Sequence, residues 1–125
     1  MQFTSRYDGR NVTGKLGSSL NFTWTFSGSL KLANWGTKRS QDSEIDDLLV
    51  SLSIKGLESV NVPPLYDGRV NGSWDGKNDP GQVVYTLTSI QKEDNRFFVC
   101  KITPVGFLVN PVYDTFQLVV IGKCW

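Results

Sequence analysis

The sequence predicts an all-β protein whose short strands form a sandwich or a barrel. Segments of alternating apolar and polar residues recur along the 125 residues, and clusters of Gly, Asp, Asn, Ser and Pro separate them. Alternation at a period of two residues is typical of strands with one buried face, and frequent turn clusters are typical of all-β folds. The length fits one domain, which we predict over residues 1–125 with a core at about 11–122.

The clearest strand runs from Leu20 to Phe26, where apolar and polar residues alternate without interruption. Its inward set is Leu20, Phe22, Trp24 and Phe26, which leaves Asn21, Thr23 and Thr25 in solvent. Further strands are predicted at 30–38, 48–54, 69–74, 83–87, 98–102 and 116–121. The polar segment 37–47 is predicted to be a hairpin connection, and 91–95 a single helical turn between two strands.

Composition excludes several classes of function. A net charge of +1 provides no strong field for nucleic acid or an anionic membrane. No apolar run approaches the roughly 20 residues that span a bilayer, so we expect no membrane insertion in this segment. The chain has no histidine, which rules out a histidine-based triad, and two cysteines are too few for a zinc site. We therefore expect no catalytic residues, no cofactor, no metal and no enzymatic activity.

Three Asn-x-Ser/Thr sequons begin at Asn11, Asn21 and Asn71, and each is a potential glycosylation site. The alternation of the first strand places Asn21 on the outward face, where a glycan has room. We predict that glycans on Asn11 and Asn21 shield one of the two sheets and leave the other free.

Several residues, in order and spacing, resemble an immunoglobulin variable-type (V-set) domain. The stretch from Gly17 to Gly28 looks like that family's strand B, and Trp35, eleven residues after Trp24, matches the buried tryptophan of strand C. The pattern continues through strands D, E and F with Arg69, Tyr85, Thr86, Leu87, Thr88, Ile90, Asp94, Phe98 and Cys100. The resemblance implies a two-sheet antiparallel β-sandwich in which Asp94 pairs with Arg69.

The chain departs from the family pattern at two core positions. Trp24 stands where the family places the strand-B cysteine, so the usual inter-sheet disulfide to Cys100 cannot form. Phe98 stands where the family usually has a tyrosine. For Cys100 we favour a buried free thiol over a bond to Cys124, because the two are expected to lie further apart than a disulfide allows. Cys124 is left to pair with a neighbouring domain, with a second copy, or with nothing.

The cysteine-poor core is similar to the V-set domains of cnidarian surface proteins, including colonial allorecognition receptors. This resemblance implies an extracellular part of a cell-surface protein that binds another immunoglobulin-type domain, including a second copy of itself. The family uses the outward face of strands G, F, C and C′ and the FG loop for such contacts. On this chain the predicted contact residues are Asn34, Leu49, Phe97, Val99, Lys101, Val105, Phe107, Leu108, Val109 and Val119.

Other interpretations stay open at this point. Apolar residues of the FG loop equally fit a contact site and a loop folded back onto the sandwich. A heterologous ligand, microbial or self, could be bound by the end loops, or the domain could be a spacer joined through Cys124. The acidic run 42–47 lacks the spacing of a calcium-binding EF-hand loop, and a solvated hairpin is the simpler interpretation.

Overall fold

A computed structural model describes residues 2–38, 45–58, 60–75, 81–106 and 110–122. In chain order the strands are β1 Gln2–Phe3, β2 Asn11–Lys15, β3 Leu20–Ser27, β4 Leu30–Lys38, β5 Asp47–Ser53, β6 Gly56–Glu58, β7 Val70–Asp75, β8 Gly81–Leu87, β9 Phe97–Pro104 and β10 Val112–Ile121, with a 3₁₀ turn at Lys92–Asp94. The predicted helical turn is therefore present. No helix in these ranges is long and apolar enough to cross a membrane.

The strands form two sheets. One has four strands in the order β1-β3-β8-β7, and the other has six in the order β2-β10-β9-β4-β5-β6. Every described pair is antiparallel except β2 with β10, which is parallel. The chain starts in the four-stranded sheet and crosses to the six-stranded sheet between β1 and β2, which explains that exception to the predicted antiparallel pairing.

Aromatic side chains fill the space that the inter-sheet disulfide would occupy. Trp24 and Trp35 are both fully buried, and the ring of Tyr85 lies between them. Tyr85 stacks on Trp35 at 5.2 Å and meets the edge of Trp24 at 5.8 Å between ring centroids. Cys100 is a buried free thiol, 3.9 Å from the Tyr85 hydroxyl. Burial raises the pKa of this thiol, so it stays protonated in the core. Cys124 lies outside the described residues.

A buried carboxylate, Asp114, holds the segment between β1 and β2 against the core through hydrogen bonds. Its Oδ2 accepts hydrogen bonds from the indole Nε1 of Trp24 at 2.7 Å and from the backbone N–H of Tyr7 at 2.6 Å. Its Oδ1 accepts one from the backbone N–H of Asp8 at 3.0 Å, and Nε of Arg6 lies 3.6 Å away. The tryptophan that replaces the strand-B cysteine thus brings a polar N–H into the core, and Asp114 satisfies it.

An ion pair joins Arg69, just before β7, to Asp94 at the end of the 3₁₀ turn. Two guanidinium nitrogens reach the two carboxylate oxygens at 2.9 Å each, and Arg69 also donates to the carbonyls of Leu65, Thr88 and Ser89. Asp94 is fully buried and also accepts the backbone N–H of Gln91. This pair, expected from the family resemblance, raises the pKa of Arg69 further, chiefly through its hydrogen bond to Asp94.

A bulge between β4 and β5 reverses one predicted orientation. Trp35 pairs with Val50 and Gly36 with Leu48, so Leu49 is an extra residue with no partner in that register. Leu49 is 1% exposed and belongs to the core, whereas strict alternation predicted it to face outward. The prediction of Leu49 as a contact residue is therefore wrong, and Leu48 takes the outward position. Ile54, the last residue of the predicted strand 48–54, is 70% exposed in the turn that follows β5.

Tyr66 provides a test of the core at alkaline pH. Its ring is fully buried, and its hydroxyl has no hydrogen-bond partner among the described residues. Burial raises the pKa of Tyr66 to about 12. The stability that the protonated phenol contributes is therefore complete below the unfolded-state pKa near 10, and it is lost as the pH rises from there toward 12. We expect Tyr66→Phe to be neutral, or stabilising by up to about 1 kcal/mol, near pH 7. It should also lose less stability than the parent above about pH 10.

Urea midpoints measured across this range test the expectation, and a Tyr113→Phe variant, at a partly exposed site, is the control. A Tyr66→Phe protein with the parent's alkaline profile would show that Tyr66 does not contribute to it.

Candidate recognition surface

The outward side of the six-stranded sheet carries four of the predicted contact residues in partly exposed positions. Alternate residues of each strand face away from the core, and cross-strand pairs place them in rows. One row joins Tyr113, Lys101 and Asn34, and another joins Gln117, Phe97 and Lys38. We call this side of the sheet the recognition face. Asn34, Phe97, Lys101 and Val119 are partly exposed on it.

Val99 lies on the recognition face but is not accessible. Its side chain is 0% exposed, although it is not a member of the buried core cluster. Its cross-strand neighbour is Gly36, where a Cβ atom would come within 2.5 Å of the Ile45 side chain and 2.4 Å of the Asp47 carbonyl. The segment that enters β5 therefore folds over the middle of the face. The prediction of Val99 as an exposed contact residue is wrong, because sequence alternation does not show what a connecting segment covers.

A shallow cleft of about 350 Å³ lies beside this segment. Its lining residues are Asn34, Ile45, Asp46, Leu48, Lys101 and Tyr113. The ammonium of Lys101 lies 5.7 Å from the centroid of the Tyr113 ring, a cation–π distance. Ser51 donates a hydrogen bond to Oδ1 of Asn34 at 2.7 Å, which holds that amide in one orientation. We call this the Tyr113 cleft.

A second cleft, of about 540 Å³, continues the face past Asp46. Its lining residues are Thr37, Lys38, Asp46, Asp47, Asn95, Arg96, Phe97 and Gln117. Arg96 lies 3.9 Å from Asp47 across it, and the half-buried ring of Phe97 forms its apolar part. We call this the Phe97 cleft. Together the two clefts carry aromatic rings and charges of both signs along one continuous surface.

The FG loop is only partly described. Val105, predicted as a contact residue, is 58% exposed where β9 ends. Phe107, Leu108 and Val109 lie outside the described residues, as do residues 42–44, the first half of the acidic run.

A separate apolar patch lies at the far edge of the six-stranded sheet. Ile54 and Leu57, on the turn into β6 and on β6 itself, are 70% and 61% exposed. They border an open cleft of about 620 Å³ that reaches Trp74 on the other sheet. Sequence reasoning did not find this patch, because it placed Ile54 within the predicted strand 48–54 and not in a turn.

The three sequons occupy two different sheets. Asn21 on β3 and Asn71 on β7 both pair with Thr86 of β8, so they lie on either side of Thr86 on the outer face of the four-stranded sheet. Asn11 lies on β2, the edge strand of the six-stranded sheet. All three side chains are exposed. The prediction that Asn11 and Asn21 shield the same sheet is therefore wrong, since the N-terminal crossing transfers Asn11 to the other one.

The described residues show no catalytic constellation at either cleft. No group of three or more Asp, Glu, His or Cys side chains in these ranges is arranged to hold a metal ion. The clefts are open and lined by carboxylates, cations, amides and aromatic rings.

The two sheets and their strand order define an immunoglobulin-like β-sandwich of the variable type. In that type, strands C′ and C″, which correspond to β5 and β6, extend the sheet of strands G, F and C, which correspond to β10, β9 and β4. A solved structure of murine CRIg is similar, with 21% identity over 89% of this chain and 92% of that chain, and a TM-score of 0.62. A structure from photo-crosslinking analyses of multimeric cell-adhesive interactions of VGSC beta subunits is similar too, with 19% identity, coverage of 90% and 92%, and a TM-score of 0.67. No model of a protein family matches the chain, and no curated protein sequence matches it.

Proposed function

We propose that this chain is a non-catalytic recognition domain of an extracellular, cell-surface protein, and that its recognition face binds another immunoglobulin-type domain. The observation that carries the proposal is the pair of adjoining clefts, which place Tyr113, Phe97 and both signs of charge on one sheet face. Aromatic residues and arginine are enriched at protein interfaces. The similarity of the fold to a protein with multimeric cell-adhesive interactions supports the same conclusion.

The size of the face fits a protein partner. Five inter-strand spacings make the six-stranded sheet about 24 Å wide, and a seven-residue strand is about 23 Å long. Such a surface is about 550 Å² in projection, of the same order as the roughly 800 Å² of accessible surface that each partner contributes to a standard interface. A small molecule would instead require a deeper, more apolar pocket than either cleft offers.

The charges favour a second copy of the chain as the partner. A two-fold interface brings one surface against itself, so each charge must meet an opposite charge on the same patch. Lys101 and Arg96 share the recognition face with Asp46 and Asp47, and these charges can serve both sides of such an interface. We therefore infer homophilic self-recognition.

Sedimentation velocity over a wide protein concentration range, with and without a reducing agent, tests this function. We expect a concentration-dependent dimer that reduction does not dissociate. A dimer lost on reduction would indicate a disulfide through Cys124. A monomer at every concentration would exclude self-recognition and favour a heterologous ligand bound by the end loops, where Val105 is exposed.

Charge reversal at Lys101→Glu should weaken the dimer at least about tenfold, because it places a carboxylate against the partner's acidic residues and removes the contact with Tyr113. Sedimentation velocity measures the effect, and Lys92→Glu, the same change on the exposed 3₁₀ turn, is the control. Equal dimerisation of parent and Lys101→Glu would show that the interface lies elsewhere. Phe97→Asp is a second test, provided that its unfolding midpoint matches the parent. Val99→Asp is unsuitable, since it would bury an unpaired charge.

A further inference from the structure

The sequon at Asn11 lies at the rim of the recognition face. In the parallel pair of β2 and β10, Asn11 is opposite Gln117, which is opposite Phe97 on β9. Phe97 is in turn opposite Lys38 on β4. Two inter-strand spacings, about 10 Å, therefore separate Asn11 from Phe97 in one row.

The inward-facing residues of β2 show that Asn11 lies on the outward side of the strand. Val12 packs against the core, and a Cβ at Gly14 would touch Ile90, Leu118 and Leu20 inside it. Asn11 and Thr13 alternate with these inward residues and are exposed. Both sequon residues that the glycosylating enzyme recognises thus lie on the outward side of the sheet.

The other two sequons, at Asn21 and Asn71, have the same chemistry but lie on the opposite sheet. The Oδ1 atom of Asn21 accepts a hydrogen bond from Thr86 at 2.8 Å, and that of Asn71 accepts one from the backbone N–H of Gly72 at 2.8 Å. Both residues face away from the four-stranded sheet, on the far side of the core from the two clefts. Glycans there cover the four-stranded sheet and leave the recognition face open.

We propose that an N-linked glycan on Asn11 controls access to the Phe97 cleft and so regulates self-association, whereas glycans on Asn21 and Asn71 do not. This inference rests on the proposed function. A branched, hydrated oligosaccharide attached at the rim is larger than the separation between Asn11 and Phe97. It occupies the volume through which a partner surface must approach. Occupancy of one sequon therefore selects between an open and a shielded form of the same domain.

The test compares the domain secreted by a glycosylating eukaryotic host with the same domain from a bacterial host that adds no N-glycans. Peptide mapping of the secreted protein should find a glycan on Asn11. Sedimentation velocity should then show dimerisation at least about tenfold weaker for the secreted parent than for the bacterial protein. Asn11→Gln and Thr13→Ala, which both remove the sequon, should restore dimerisation in the secreted protein.

Asn21→Gln and Asn71→Gln are the matched controls, and each should leave the secreted protein as weakly associated as the parent. Asn11→Gln from bacteria should match the bacterial parent, which separates the effect of the glycan from that of the side chain. A bare Asn11 in the secreted protein overturns the inference, as does equal dimerisation of secreted parent and secreted Asn11→Gln. Absence of dimers from the bacterial parent would instead overturn the proposed function itself.

Discussion

Asp114→Ala is expected to lower the free energy of unfolding by about 3–5 kcal/mol, because it removes three charge-assisted hydrogen bonds at once. The largest part of this loss is expected at Trp24, whose indole N–H would be left in the core without an acceptor. The backbone N–H groups of Tyr7 and Asp8 lie nearer the surface and can turn to water at lower cost. Urea unfolding with a common m-value measures the effect.

Two further variants distinguish the contribution of the Asp114 carboxylate from that of the Trp24 indole. Asp114→Asn keeps the volume but replaces one acceptor oxygen with a donor, so it should lose about half of the stability lost in the alanine variant. In a Trp24→Phe background, where no indole N–H needs an acceptor, Asp114→Ala should cost less than in the parent. Thr115→Ala, at the next position of β10, is the control and should change stability by less than about 0.5–1 kcal/mol. Equal costs of Asp114→Ala with and without Trp24 would refute the coupling.

Asp94→Ala is expected to cost about 3–5 kcal/mol, because it leaves the guanidinium of Arg69 without its counter-charge at a largely buried site. It also removes the acceptor for the Gln91 backbone N–H, which begins the 3₁₀ turn. Lys92→Ala, an exposed residue of the same turn, is the control. Unfolding by urea at neutral pH measures both variants. A loss of less than about 1 kcal/mol in the free energy of unfolding is typical of exposed ion pairs, and it would contradict the conclusion that this pair is buried and stabilising.

Arg69→Lys tests the geometry of the pair with the charge retained. One ammonium cannot replace a guanidinium that reaches both oxygens of Asp94 and three backbone carbonyls. We expect a loss of roughly half that of Asp94→Ala. A lysine variant as stable as the parent would show that charge alone, without the bidentate contacts, accounts for the pair.

Long strands were predictable because their alternation records which face is buried. The stretch from Leu20 to Phe26 has this pattern, and Phe22, Trp24 and Phe26 are buried as expected. The short edge strands β1, β2 and β6 were not predicted as strands, since a few residues at a sheet edge carry too little alternation. Asp114 was also missed. An isolated aspartate in a strand indicates a partner only when the buried indole of Trp24 and the crossing segment at Tyr7 are seen beside it.

Some features of the recognition face could likewise be predicted from the sequence, and others could not. The sequence by itself determined the sandwich, the buried tryptophans, the free thiol in the core and the partial exposure of Asn34, Phe97, Lys101 and Val119 on one sheet. Only the tertiary structure decided that Leu49 turns inward at a bulge, that the segment at Ile45 lies over Gly36 beside Val99, and that Asn11 joins the six-stranded sheet. The physical reason is the distance along the chain over which each feature is determined. Alternation is a local property of one strand, whereas bulges, covering segments and sheet crossings depend on contacts between residues far apart in the chain.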